Sequence, residues 1–437
     1  VHLLNLLAIP AIVYVYYYKK YTYSNKGFIA AGIISLAILF VIMYLVIPGI
    51  VEFAGKFELF FVNSIGMPFN SGTIIYFLII TVIIAGGLYY TYIKRKVVLN
   101  TVILAFLFIL IGYSSFFMIV IRANANPPIN ENDPKDAISL LSYLNREQYG
   151  SWPIFHGQYF NAPVVDHADG NPVYMKDEKK GNYVIKEDRK GTIPVYDERF
   201  TTIFPRMWSN TKPAHKTLYE HFGDIEGRPI SVSDGKGGTK VLYRPTFGEN
   251  LKFFFTYQFN FMYMRYFLWN FAGRQNNIES QGEIQHGNWI SGINFIDSWR
   301  IGDQSNLPSS MKNPARTQFY FLPLILGLIG FFFQLNRSKK DTWVVALIFI
   351  MTGLAIIIYL NQTPLQPRER DYAYAGSFYA FAIWIGLGVL GLYNALQKKM
   401  GNKLLAASIV SIASLMLVPG IMAEQGWDGH DRSGKYA

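Results

Sequence analysis

The chain has 437 residues, 51% of them hydrophobic, with a formal net charge of +11 and no cysteine. The missing thiols exclude disulfides, thiolate nucleophiles, cysteine-type zinc sites and iron–sulfur clusters. A basic excess can signal a nucleic-acid partner, but here it sits in four short loops, Lys19 to Lys26, Lys94 to Lys96, Arg337 to Asp341 and Lys398 to Lys403, whose twelve basic residues and one acid account for all of it.

Those loops punctuate apolar runs. A hydrocarbon core of about 30 Å takes about 20 helical residues, and eight segments qualify: 1–18, 28–52, 72–93, 98–121, 316–335, 342–360, 373–396 and 404–423. Basic loops mark the cytoplasmic face, so alternation places 53–71, 122–315, 361–372 and the tail from 424 outside. The expected organisation is a first membrane bundle of four spans over 1–121, an external α/β domain over 122–315, a second four-span bundle over 316–423, and the start of an external soluble region at 424–437.

Within the external domain, Asp136 to Glu147 reads as a short helix with Asp136 at its N-terminus. The β-prone pieces Tyr183 to Ile185 and Ile193 to Tyr196 suggest one hairpin. A second joins Ile230 to Val232 and Val241 to Tyr243 through the glycine-rich turn at 234–238. Leu251 to Phe271 is apolar enough to tempt a ninth span, but Lys252, Thr256, Gln258, Asn260, Arg265 and Asn270 interrupt it. Spanning would also invert every basic loop after it. We therefore expect an interfacial helix over 250–272, its mixed face in the headgroup layer.

Guanidinium groups at a membrane face suit phosphate, because their forked N–H groups match its oxygens. The densest such constellation is Pro367-Arg368-Glu369-Arg370-Asp371-Tyr372. It is readable either as a phosphate grip or as a self-neutralising loop, the latter worth only about 0–1 kcal/mol per exposed pair. Arg265 and Arg274 are open to a donor-phosphate role or a snorkelling anchor, and Arg122, at the external end of a span, carries the same two readings. The histidines lack the paired spacing of a helical zinc site, and Asp166 to Asp169 reads as a polar turn rather than a cation site.

Five segments in order, Arg122 to Pro134, Gly248 to Asn276, His286 to Trp289, Pro367 to Tyr372 and Trp427 to Ser433, resemble a family of large bacterial membrane proteins, common in Bacteroidetes and long of unknown function. That family is similar to the vertebrate plexin-type protein O-mannosyltransferases. The resemblance implies a polytopic α-helical protein with a GT-C-like fold that moves a sugar, mannose in the family's case, from a polyprenyl-phosphate donor to Ser or Thr of proteins outside a bacterial inner membrane, with the large loop in the periplasm. It implies that Arg368 and Arg370 hold the donor phosphate, with Arg265, Arg274 and Arg122 behind them and Glu249, Asn250, Glu369, Asp371 and His286 in support. The family's catalytic acid belongs to a loop expected upstream of Val1, so no residue here is assigned that role, and Glu52, Glu58 and Asp133 are not given it.

The expected partners are membrane lipid, the polyprenyl-phosphate donor and external acceptor proteins, with no nucleic acid. No cofactor or resident metal is assigned; a divalent-metal requirement stays open. Two other classes compete. A noncatalytic scaffold of an envelope secretion or assembly complex would bind protein partners through the external domain, and a lipid or solute transporter would place charges or helix breaks at mid-membrane in matching halves, which these spans lack.

Overall fold

The computed structural model describes residues 3–130, 132–145, 152–170, 172–187, 192–233, 238–308 and 312–427. The expected positions Glu147, Asp234 to Gly237 and the tail beyond Trp427 lie outside them. The described chain is dominated by helix, and six helical stretches are long and apolar enough to cross a membrane: Asn25–Ser64, Ser71–Ile93, Val97–Asn124, Lys339–Leu360, Asp371–Met400 and Lys403–Gly426. At the first and fifth expected spans the helices are shorter, Ile9–Lys20 and Leu322–Arg337. The chain is therefore a helical membrane protein, built from two compact units.

The first unit holds Leu36–Trp152 and Val164–Tyr196. Its entry helix widens into a π turn at Val41–Val46 just before Pro48. Pro48 has no N–H to donate, and the wider turn relieves the ring's clash with the preceding carbonyls. Ser71–Ile93 begins behind Asn70, whose own side chain caps nothing. Its first N–H groups are met instead by Glu58, fully buried, whose carboxylate accepts from the backbone of Asn70 and Thr73 and from the Thr73 and Tyr183 hydroxyls. A carboxylate suits that place because unsatisfied N–H groups and the helix dipole both favour negative charge there.

Asp136 caps Ala137–Leu144 through a reciprocal pair with Ser139, as its sequence leads one to expect. The first expected hairpin is wired differently. Asn182–Glu187 pairs with Val173–Asp177, while Thr192–Tyr196 pairs with Val164–Asp169. The cause is local: Asp177 accepts from the N–H groups of Lys179 and Lys180, and Gly181, at φ +69°, closes a tight turn directly before Asn182. Asp166 and His167 consequently lie on an exposed strand, not in a turn. The inner hairpin is tied to the membrane helices by two 2.8 Å bonds between Asn63 and the Tyr183 backbone.

The second unit holds Leu4–Ser35, Pro153–Pro163 and Asp197–Ala437. The expected hairpin forms as Arg228–Ser233 with Thr239–Arg244, Ile230 facing Leu242. Leu322–Arg337 and Ala375–Met400 pack glycine to backbone. A Cβ at Gly327 would meet the Phe381 ring at 2.4 Å, one at Gly330 the Trp384 carbonyl oxygen at 1.7 Å, and Gly391 faces Phe333. The numbers rise together along this contact, so the two helices run parallel. Small residues at such a contact are what lipid-embedded helices need, since packing rather than water drives their association.

The run Phe247–Phe271 is one continuous helical rod, widened over Phe254–Met264, with one face packed inside the unit and Phe247, Lys252, Phe255 and Asn260 exposed. Phe267 meets Phe381 edge-on at 4.9 Å and Phe271 packs tilted against it at 4.6 Å, and Tyr263 shares a 2.6 Å hydrogen bond with Ser377. Gln258 and Arg265, read as part of a headgroup-facing surface, are buried. The Arg265 guanidinium and the Gln258 amide N–H groups are met by distant parts of the chain, while Gln258 Oε1 is buried with no hydrogen-bond partner.

Candidate arginine site

The site grows from that rod. Arg265 points its fork at Glu369, with Nη1 to Oε1 at 3.0 Å and Nη2 to Oε2 at 2.7 Å. It also donates to the carbonyls of Gly287 and Phe261, so four of its five N–H groups are used. Its flat guanidinium lies within 5 Å of the Phe261, Tyr266 and Trp269 rings, the stacking that arginine favours and lysine cannot reproduce. Gly287, at φ +58°, is required here, since a Cβ would fall 2.9 Å from Arg265 Nη1.

Glu369 is the hub. Beyond the two arginine bonds it accepts from the backbone N–H of Ser280 at 3.1 Å and from the Tyr266 hydroxyl. Tyr266 in turn accepts from the backbone N–H of Arg370. The loop is thereby pinned at Glu369 and Arg370, immediately before the long apolar helix Asp371–Met400.

Glu369 is committed to Arg265 rather than to its neighbouring arginines. Among the described residues, Arg274, Arg368 and Arg370 make no ion pair. Arg274 stacks 4.0 Å over Trp269 and donates Nε to the Asn276 carbonyl. Burial lowers its pKa, while Asp371 and Glu369 pull the other way, and it remains a cation at any physiological pH. Arg370 Nε and the Tyr374 hydroxyl are buried with no hydrogen-bond partner. Arg368 is exposed, against the ring and hydroxyl of Tyr372. The arrangement is cationic with free N–H capacity, which is chemistry for an anion bearing several oxygens.

Three expected supporting residues work elsewhere. Glu249 closes a capping box with Thr246 and accepts from the N–H groups of Glu226 and Gly227. Burial alone would raise its pKa, but those backbone donors outweigh it and hold the carboxyl below its usual range. Asn250 is fully buried, bridging the Arg206 N–H and the Phe204 carbonyl. His286 pairs with Glu283 at 2.7 Å. Arg122 belongs to the first unit, exposed in the last turn of Phe117–Asn124.

Sequence reasoning missed Arg206. It is wholly buried and makes no ion pair among the described residues, donating instead to the carbonyls of Ile154 and Ile358 and lying 3.8 Å over the Phe204 ring. Burial pulls its pKa down to about 10. Ile358 is in the last turn of Leu354–Leu360, where the carbonyl dipoles favour a cation. Asn361, in left-handed conformation, closes the same network through Pro153, Pro205, Trp208 and Gln258. No local pattern signals these partners, which lie 52 to 208 positions apart along the chain.

Among known proteins, a family model described only as a family of unknown function (DUF8416) matches residues 150–255. No curated protein and no solved structure matches the chain.

Proposed function

We propose that this membrane protein is a glycosyltransferase of GT-C type that takes a sugar, mannose by the resemblance, from a polyprenyl-phosphate donor and transfers it to Ser or Thr hydroxyls of proteins on the external face of a bacterial inner membrane. The observation that carries the reading is the pinned loop at Glu369 and Arg370. It leaves Arg370, Arg274 and Arg368 without ion-pair partners among the described residues, near the start of an apolar helix, where a lipid phosphate would meet them if that helix crosses the membrane.

As the sugar's C–O bond to the phosphate breaks, negative charge grows on the departing polyprenyl phosphate. Preorganised guanidinium donors stabilise that charge without having to reorient. The acceptor hydroxyl must lose a proton to a base, and no described residue is assigned that task. Arg265 keeps a positioning role in this scheme, holding Glu369 and through it the loop.

The test is transfer of radiolabelled sugar from a polyprenyl-phosphate donor to external proteins by the protein in nanodiscs. Transfer by the natural chain and its loss in a folded Arg370→Ala/Arg274→Ala variant would support the proposal. Transfer unaffected by that variant would move the phosphate elsewhere, and no transfer with any polyprenyl-phosphate sugar would overturn the reading.

A further inference from the structure

The helix Asn294–Ile301 has one face the proposed reaction does not use. Its inner face is locked. Asp297, buried, accepts from the Ser291 and Gly292 N–H groups at 2.8 Å and from the Ser291 hydroxyl. Arg300 donates to the Trp289 carbonyl and lies 3.5 Å over its ring, and Gly302, at φ +84°, ends the helix.

The outer face carries Phe295 and Trp299, one turn apart, 86% and 85% exposed. Residues four apart share a helix face, so two large rings form one apolar surface on a rigid support. A helix facing water would carry polar residues there.

The fold holds this surface close to the start of an apolar helix. Tyr320 N–H donates to the Ser291 carbonyl at 2.9 Å, Phe319 N–H to the Ala272 carbonyl at 2.8 Å, and Phe321 packs against Trp289 at 5.9 Å. The next residue, Leu322, opens an apolar helix that runs parallel to Asp371–Met400. Asn294–Ile301 is thus held a few residues from the point where two adjacent helices enter the bilayer together, and Trp is a residue enriched at that depth.

We infer that Asn294–Ile301 is a membrane-interface anchor whose Phe295 and Trp299 rings insert into the outer leaflet beside the arginine site. Interfacial helices of this kind bury their apolar face by about 5–10 Å. The inference requires membrane embedding only and is independent of whether the protein transfers sugar.

The chain's natural lack of cysteine allows a direct test. Phe295→Cys and Trp299→Cys are each labelled with an environment-sensitive fluorophore and compared with Ser305→Cys, on an exposed loop nearby, all in nanodiscs containing acyl-chain spin-labelled phospholipid. We expect the labels at 295 and 299 to be quenched several-fold more by the lipid spin label than the one at 305, and less by aqueous iodide. Iodide quenching equal to that at 305 would overturn the inference. So would protection from both quenchers, which would mean that protein covers the face. Both substituted side chains are exposed, and the two positions report independently should one variant fail to fold.

Discussion

Arg265 and Glu369, 104 positions apart, form a two-pronged ion pair with both side chains largely removed from solvent, 5% and 15% exposed. Breaking such a pair leaves a buried charge without its counterpart, costing about 3–5 kcal/mol. Glu369→Ala should lower the thermal unfolding midpoint in nanodiscs clearly, because it strands Arg265 along with the Ser280 N–H and Tyr266 hydroxyl. Arg265→Lys should do so as well despite keeping the charge, since an ammonium reproduces neither the fork nor the ring stacking. A midpoint unchanged in both would refute the hub role.

Arg370 should behave in the opposite way. Its side chain makes no ion pair, so Arg370→Ala is expected to leave the unfolding midpoint near the natural value. Loss of a charge-assisted hydrogen bond to a donor phosphate is worth about 1.5–3 kcal/mol, or about ten- to a hundredfold in affinity. Titration of the nanodisc protein with a polyprenyl-phosphate sugar checks this. Arg368→Ala, removing an exposed group, should cost less.

In the first unit, Glu58→Ala should destabilise strongly, because it orphans two backbone N–H groups at the start of Ser71–Ile93 and two hydroxyls. Tyr183→Phe removes only one hydroxyl from the set and should cost about 1 kcal/mol. If the two variants unfold alike, the carboxylate is not the keystone we take it for.

Acid should weaken the second unit in two steps. His215, buried against the Ser209 hydroxyl at 3.0 Å, has its pKa lowered by burial and by Lys212. The unfolded chain therefore takes up its proton first. Stability from this group is complete above the ordinary imidazole value of about 6.5 and falls as the pH drops toward its lower folded value. Glu249, held below the usual carboxyl range, contributes stability above its unfolded value of about 4.3 that is lost as pH falls through its folded one. Unfolding midpoints followed from about pH 8 down to about pH 2 should decline first in the imidazole range and again below about 4.3, and His215→Gln should flatten the first decline while leaving the second.

The membrane helices were readable because length, apolarity and the flanking lysines are local signals, and the Arg228–Arg244 hairpin because its turn glycines are local too. The Arg368 to Asp371 constellation was also visible as a cationic loop. What was not visible is which charge each arginine answers. Glu369, flanked by two arginines, reads as their neutraliser, yet it serves Arg265 from another part of the chain and so frees its neighbours. The same limit misplaced Gln258. A polar residue inside an apolar run reads as exposed, and only a tertiary partner such as Asn361 reveals that it is buried.

The shortness of Leu322–Arg337 has a consequence for the lipid around it. Sixteen residues reach about 24 Å at 1.5 Å each, against a hydrocarbon thickness of about 30 Å. That mismatch is met by a bilayer that thins beside the helix or by Arg337, Lys339 and Lys340 stretching to the far headgroups. Because Gly330 rests directly on the Trp384 backbone, the short helix cannot slide along its longer neighbour to hide the deficit. Where the bilayer thins, headgroups are drawn inward beside the helix, and the phosphate proposed to meet Arg370 and Arg274 would have less of the hydrocarbon slab to climb out of.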